Sequence, residues 1–258
     1  MKTLKKVLAI ANQKGGVGKT TTSINLCAGL ALSGSSVLLI DLDPQANATS
    51  GVSVEPKDET IYECLVEKKL KKEVIIPTGI HGFDVIPSNG NLVGAEIELS
   101  QMEGREAVLS TVVQEITDYD FVVVDCPPAF GLLTINALVA ASGLIVPVQC
   151  EYYAMEGLGS LMGNVDRIRE LFNPNLALQG IVLTMYDSRI NLSRQVQDEI
   201  RGFFKEKVFK TVIPRNVALA EAPSHGKPVL SYNAASSGAK AYLDLAKEIL
   251  ADGKESVR

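Results

Sequence analysis

Asn12-Gln-Lys-Gly-Gly-Val-Gly-Lys-Thr20 decides the fold of this chain. It follows a short β-rich run, Val7-Leu-Ala-Ile-Ala11, and opens a helical pattern from Thr20 to Leu32, where Ile24, Leu26, Cys27, Leu30 and Ala31 supply an apolar face. A glycine-rich turn between strand and helix reads as a phosphate loop. Its glycines let backbone N–H groups converge on one anion, and the helix N-terminus adds free donors and a positive dipole end. Lys14, Gly15, Gly16, Val17, Gly18, Lys19, Thr20 and Thr21 are the candidate nucleotide-binding residues. Lys19 is placed to reach the β- and γ-phosphates, and the Thr20 hydroxyl to ligate Mg²⁺. The strict G-x-x-x-x-G-K-[ST] spacing fails at Gln13; a second lysine, Lys14, stands directly before Gly15-Gly16 instead.

Outward from the loop, β-rich runs alternate with helical patterns. Strands are expected at Ser36–Asp41, Phe83–Pro87, Phe121–Asp125, Leu144–Val148 and Ile181–Thr184. Helices are expected over 105–116, 132–141, 156–172, 192–204 and 239–250. This alternation predicts an α/β fold, a doubly wound, mostly parallel sheet with helices on both faces, as one domain over 1–258. Ligands of such sheets sit beyond the carboxyl ends of strands. Asp41 and Asp43 end one strand run and Asp125 ends another, so these carboxylates fall near the loop if the strands neighbour the first. Asp125 is assigned to metal support and Asp43, further out and before Pro44, to positioning water; Asp41 is assigned to the turn itself.

Composition excludes other classes. With 46% apolar and 21% charged residues the chain supports a large core, and a net charge of −5 excludes a uniformly basic nucleic-acid coat. The four cysteines, 27, 64, 126 and 150, form no C-x-x-C pair, which argues against a zinc ribbon or disulfide framework. Cys126 to Cys150 carries no charge, but Pro127, Pro128, Gly131 and Pro147 divide it into strand end, helix and strand rather than a membrane span. Lys68–Lys72 reads as a solvated helix end.

Lys14-Gly-Gly-Val-Gly-Lys-Thr20, Asp41-Leu-Asp-Pro-Gln45 and Asp125-Cys-Pro-Pro128 together resemble the deviant phosphate-loop (deviant Walker A) ATPases of the ParA/MinD group, and within it the chromosome-partitioning ParA, or Soj, proteins. Ile213-Pro-Arg-Asn-Val217 and Glu221-Ala-Pro-Ser-His-Gly-Lys-Pro228 extend the resemblance over nearly the whole chain. It implies a cytoplasmic, nucleoid-associated ATP hydrolase with ATP/ADP and Mg²⁺, active as a homodimer with ATP sandwiched at the interface. Lys14 then crosses to the partner's nucleotide, as an arginine finger does, and Gly15 lies where the two copies crowd. Pro214 and Asn216 lie near the adenine. The ATP dimer binds DNA without sequence preference, and a ParB-type centromere-binding protein stimulates hydrolysis.

Between residues 189 and 227 stand eight basic and four acidic residues, a local excess of +4 in an acidic chain, as a phosphate-contacting patch requires. Arg189 is the favoured DNA contact; Arg215 reaches either DNA or the nucleotide. Relatives often carry Arg where this chain has Ala218. The chain begins close to the phosphate loop, so a preceding helix-turn-helix is not expected. The alternative is a MinD-like membrane-associated ATPase, but the apolar stripe of Tyr242, Leu245 and Ile249 is flanked by more acid than base, which suits core better than lipid. An iron–sulfur carrier and an ATP-binding switch without turnover are the remaining alternatives.

Overall fold

The computed structural model describes residues 5–255, so Met1–Leu4 of the basic start and Ser256–Arg258 lie outside the described residues. Its strands are β1 (Lys6–Ile10), β2 (Val37–Asp41), β3 (Ile76–Ile80), β4 (Phe83–Ile86), β5 (Phe121–Asp125), β6 (Gly143–Gln149), β7 (Ala177–Tyr186) and β8 (Val208–Pro214). They form one eight-stranded sheet in the order β3-β4-β2-β5-β1-β6-β7-β8. Every pairing is parallel except β3 with β4.

Two apolar layers explain why the inner strands read as continuous apolar runs. Leu38, Ile40, Val122 and Val124 face one layer; Val37, Leu39, Phe121 and Val123 face the other. The second layer is closed by helices Lys19–Leu32 and Ser237–Glu255. These two approach closely at Gly29, where an added Cβ would stand 3.0 Å from the Ala246 methyl. Tyr242, Leu245, Ala246 and Ile249 are buried there, and the Tyr242 hydroxyl meets Thr22 Oγ1 at 3.1 Å. The apolar stripe of this helix is therefore core. Among the described residues no helix is long and apolar enough to cross a membrane.

The unforeseen elements are short or atypical. β3, Ile-Pro-Thr-Gly-Ile, is an edge strand with proline and glycine. β8 and helices Ile61–Val66 and Leu92–Ser100 also went unread, and β7 runs ten residues. The expected 105–116 helix is a 3₁₀ turn (Arg105–Ala107) followed by Val108–Gln114. The Lys68–Lys72 run follows helix Ile61–Val66, and Lys71 ion-pairs with Glu59 and Glu67.

Candidate functional site

The sheet order places β1 between β5 and β6, with β2 beyond β5. Asp125 is level with Ile10 on one side and Asp41 on the other, so the loop leaving β1 emerges beside both carboxylates. Gly16 and Gly18 have φ of +74° and +88°, the left-handed region that a side chain disfavours. The loop is tied down by Thr184 Oγ1, which donates to the Val17 carbonyl (2.8 Å), and by Asn12, whose amide donates to the Pro147 carbonyl (2.7 Å). Gly18 precedes helix Lys19–Leu32, which has no side-chain N-cap, so its first N–H groups face the loop uncovered.

Lys19 is buried and folds back so that Nζ donates to the Lys14 carbonyl at 3.3 Å. Burial pulls its pKa down, and Asp125 opposes that. Asp125 is fully buried and accepts from Thr20 Oγ1 (2.8 Å) and Ser23 Oγ (2.7 Å). Burial, with Asp41 second, pushes its carboxyl up to about 7. Ser23 was not foreseen, although it lies one helical turn from Thr20, the i,i+3 spacing that puts both hydroxyls on one face.

The other two carboxylates differ in how their oxygens are used. Asp41 accepts from Asp43 N (3.2 Å) at Oδ1, and from Thr49 N (2.8 Å) and Thr49 Oγ1 (2.7 Å) at Oδ2. Both its oxygens are committed to the turn after β2. Asp43, 7% exposed, accepts only from Gln45 N (2.9 Å) at Oδ1, and its Oδ2 has no partner among the described residues.

Lys14 is not buried with Lys19. Its ammonium ion-pairs with Glu151, in the turn after β6, and both side chains are substantially exposed. No spacing rule links residues 14 and 151, so sequence could not reveal this pair. A Cβ added at Gly15 would meet nothing within 4 Å in this chain. Pro214 ends β8, and Asn216 precedes helix Val217–Glu221. Asn216 Nδ2 donates to Ser237 Oγ (2.9 Å), while its buried Oδ1 has no partner.

The basic residues of 189–227 do not form one patch. Arg189 and Arg215 are exposed together at the carboxyl ends of β7 and β8, where Arg215 N donates to the Tyr186 carbonyl (3.0 Å). Arg201, Lys205 and Lys210 line an open groove with Glu206, Glu248 and Asp252 at the opposite end of β8. Lys210 is the third residue of β8 and Arg215 follows its last, so about 16 Å of strand separates the two groups. Ala218 is buried.

The site's own chemistry fits a Mg-nucleotide. It offers an uncapped helix end, a buried lysine and a hydroxyl beside a buried carboxylate. Among the described residues no group of three or more His, Cys, Asp or Glu is placed to hold a metal ion.

A family model described as an AAA domain matches residues 5–178. The sporulation initiation inhibitor protein Soj of Bacillus subtilis is 51% identical over 96% of this chain and 99% of its own. The chromosome partitioning protein ParA of Myxococcus xanthus is 45% identical over 96% and 89%. A solved structure described as cobyrinic acid a,c-diamide synthase from Mycobacterium smegmatis, with bound ADP and magnesium, superposes with a TM-score of 0.85 at 35% identity, covering 98% of this chain and 97% of that one.

Proposed function

The chain belongs to the ParA/Soj family of chromosome-partitioning ATPases, and from that premise we propose that it binds Mg·ATP, pairs with a second copy around two nucleotides, holds DNA in that state and hydrolyses ATP to reset. The observation that carries this reading is the different setting of two lysines in one loop. Lys19 is buried with its ammonium on the loop backbone; Lys14 is exposed and ion-paired with Glu151.

In this proposal residues Lys14 to Thr21 cradle the phosphates through backbone N–H groups, and the Lys19 ammonium sits on the β- and γ-phosphates. Thr20 Oγ1 and Asp125 are placed to hold Mg²⁺, directly and through water, which when bound supplies neutralisation of phosphate charge. Asp43 Oδ2, the uncommitted oxygen, accepts a hydrogen bond from the attacking water and aims it. The water oxygen bonds to the γ-phosphorus as the bridging P–O bond to the β-phosphate breaks, giving ADP and phosphate. The Asn216 Oδ1 acceptor suits the exocyclic amine of adenine, beside Pro214.

Lys14 has no role on its own chain's nucleotide in this scheme. Released from Glu151, it completes the site of the second copy, a contribution that for a cation supplied in trans is worth about 10³–10⁵ in rate. In this scheme Gly15, open within its own chain, lies where the second copy closes on the loop. Loss of the γ-phosphate removes what the crossing lysine holds, and the pair separates. Arg189 and Arg215 provide the DNA contact, a ParB-type protein accelerates hydrolysis, and the protein works in the cytoplasm on the nucleoid. The burial of the Ser237–Glu255 helix disfavours the membrane-attached alternative, which needs that stripe free for lipid.

The test is the mass of the protein in solution with ADP, with ATP, and with ATP plus duplex DNA. The reading expects doubling only with ATP, and DNA retention only by the doubled form. A single mass in all three conditions contradicts it.

A further inference from the structure

We propose that Asp187 is a positioning residue that sets the strength of the DNA grip, by bracing the Arg189 guanidinium with its outer edge toward solvent while cancelling part of its charge. This rests on the DNA reading of Arg189 given above.

The pair is built side-on. Arg189 N and Nε both donate to Asp187 Oδ1, at 3.0 and 2.9 Å, and Arg189 Nη2 donates to Oδ2 at 2.7 Å. The Arg189 side chain is 87% exposed, the Asp187 side chain 14%. Nη1 makes no hydrogen bond among the described residues. The carboxylate therefore uses the inner edge of the guanidinium and leaves the outer fork, Nη1 with the second Nη2 hydrogen, facing solvent. That fork matches two oxygens of a phosphate. Arg215 stands on the neighbouring strand end, where its backbone N donates to the Tyr186 carbonyl next to Asp187. The Arg189 hydrogen bonds, with Arg215 adding, hold the Asp187 carboxyl down at about 2, so it stays charged at neutral pH.

A fixed carboxylate behind the fork acts in two opposing ways. It removes rotamer freedom that Arg189 would otherwise lose on meeting a phosphate, which favours binding. It also places a negative charge within a Debye length of that phosphate, which disfavours binding. The bracing acts on one side chain whereas the charge acts on every phosphate that comes near, so the charge dominates. Asparagine keeps an oxygen acceptor for Arg189 N and Nε but drops the charge; alanine drops both. A contact weakened in this way suits a protein that has to let go of DNA in every cycle.

The experiment measures binding of a fluorescein-labelled duplex of mixed sequence to ATP- and Mg²⁺-loaded protein across a KCl series. It compares wild type with D187N, D187A, R189A, D187N/R189A and D198N, all matched by thermal midpoint. D198N removes an exposed charge from the same stretch, while Arg189 is ion-paired with Asp187. The expectation is about three- to tenfold tighter binding for D187N at fixed salt with a steeper salt slope. D187A gains less than D187N, D198N gains less again, and the D187N gain disappears in the R189A background. If D187N fails to fold, D187A still has to bind more tightly than wild type. Binding by D187N no tighter than by wild type overturns the inference, as does a gain that persists without Arg189 or is matched by D198N. If wild type binds and R189A weakens it while D187N does nothing, only the role of Asp187 falls. If wild type retains no DNA with ATP, the DNA reading and this inference fall together.

Discussion

The carboxyl ends of β1, β2 and β5 and those of β7 and β8 lie along one edge of one sheet, yet they treat charge in opposite ways. At the first, Asp41, Asp43, Asp125 and Lys19 are buried. Hydroxyls and backbone amides hold the carboxylates before any ligand arrives. At the second, Arg189 and Arg215 are exposed, and Arg189 is ion-paired with the partly covered carboxylate of Asp187, which subtracts from its charge. An enclosed, pre-oriented site suits chemistry, where reorganisation slows reaction. An open patch of partly cancelled charge suits a weak contact with a polyanion that has no fixed register.

The contrast breaks most readily at Lys19. Lys19→Ala should weaken binding of a fluorescent ATP analogue by at least about a hundredfold, because it removes the charged donor aimed into the anion site. Unchanged affinity would show that the enclosed end is not a phosphate site.

Asp43 and Asp41 sharpen the comparison within the enclosed end. Asp43→Ala should leave ATP binding and pairing intact and lower phosphate release by about a hundredfold. Asp41→Ala should instead cost about 2–4 kcal/mol of stability, since it orphans buried donors on Thr49 and Asp43. Similar behaviour of the two variants would erase the distinction drawn from their oxygens.

Proton linkage gives a smaller effect. The carboxyls of Asp41 and Asp125 are pushed up to about 6 and about 7 in the folded chain, chiefly by burial. Their ordinary value is about 3.9. Between these values the folded protein holds protons that the unfolded chain has released, so stability falls as pH rises from about 4 to about 7. The ligand-free protein should therefore melt at a higher temperature at pH 5 than at pH 8, and Mg·ATP should shrink the difference. A melting temperature that rises with pH over that window would mean these carboxylates are not strained by burial.

The smallest expected effect belongs to the open patch. Arg189→Ala should reduce DNA retention about three- to tenfold at fixed salt and leave ATP affinity unchanged. Loss of ATP binding as well would place Arg189 in the enclosed site.

The enclosed end was largely legible in the sequence because its constraints are local. A turn that needs left-handed glycines, a lysine and a threonine at the start of a helix, and aspartates at the ends of apolar strands all sit at fixed spacing. β5 was read to the residue, Phe121–Asp125, because a strand buried on both faces leaves an unbroken apolar run. β3 was missed because half-exposed edge positions impose no such run. The Lys14–Glu151 and Thr184–Val17 contacts were not legible, since only the completed sheet brings those residues together. The same limit made eight basic residues look like one surface when the strand β8 separates them.

Subunit mixing tests most directly whether Lys14 completes a second copy's site. Lys14→Ala and Asp43→Ala are each expected to be nearly inactive alone. An equimolar mixture should hydrolyse ATP at about a quarter of the wild-type rate, because half the pairs are mixed and each mixed pair holds one complete site. A mixture as inactive as its components, with pairing confirmed by mass, would show that Lys14 acts on its own nucleotide and would contradict the account.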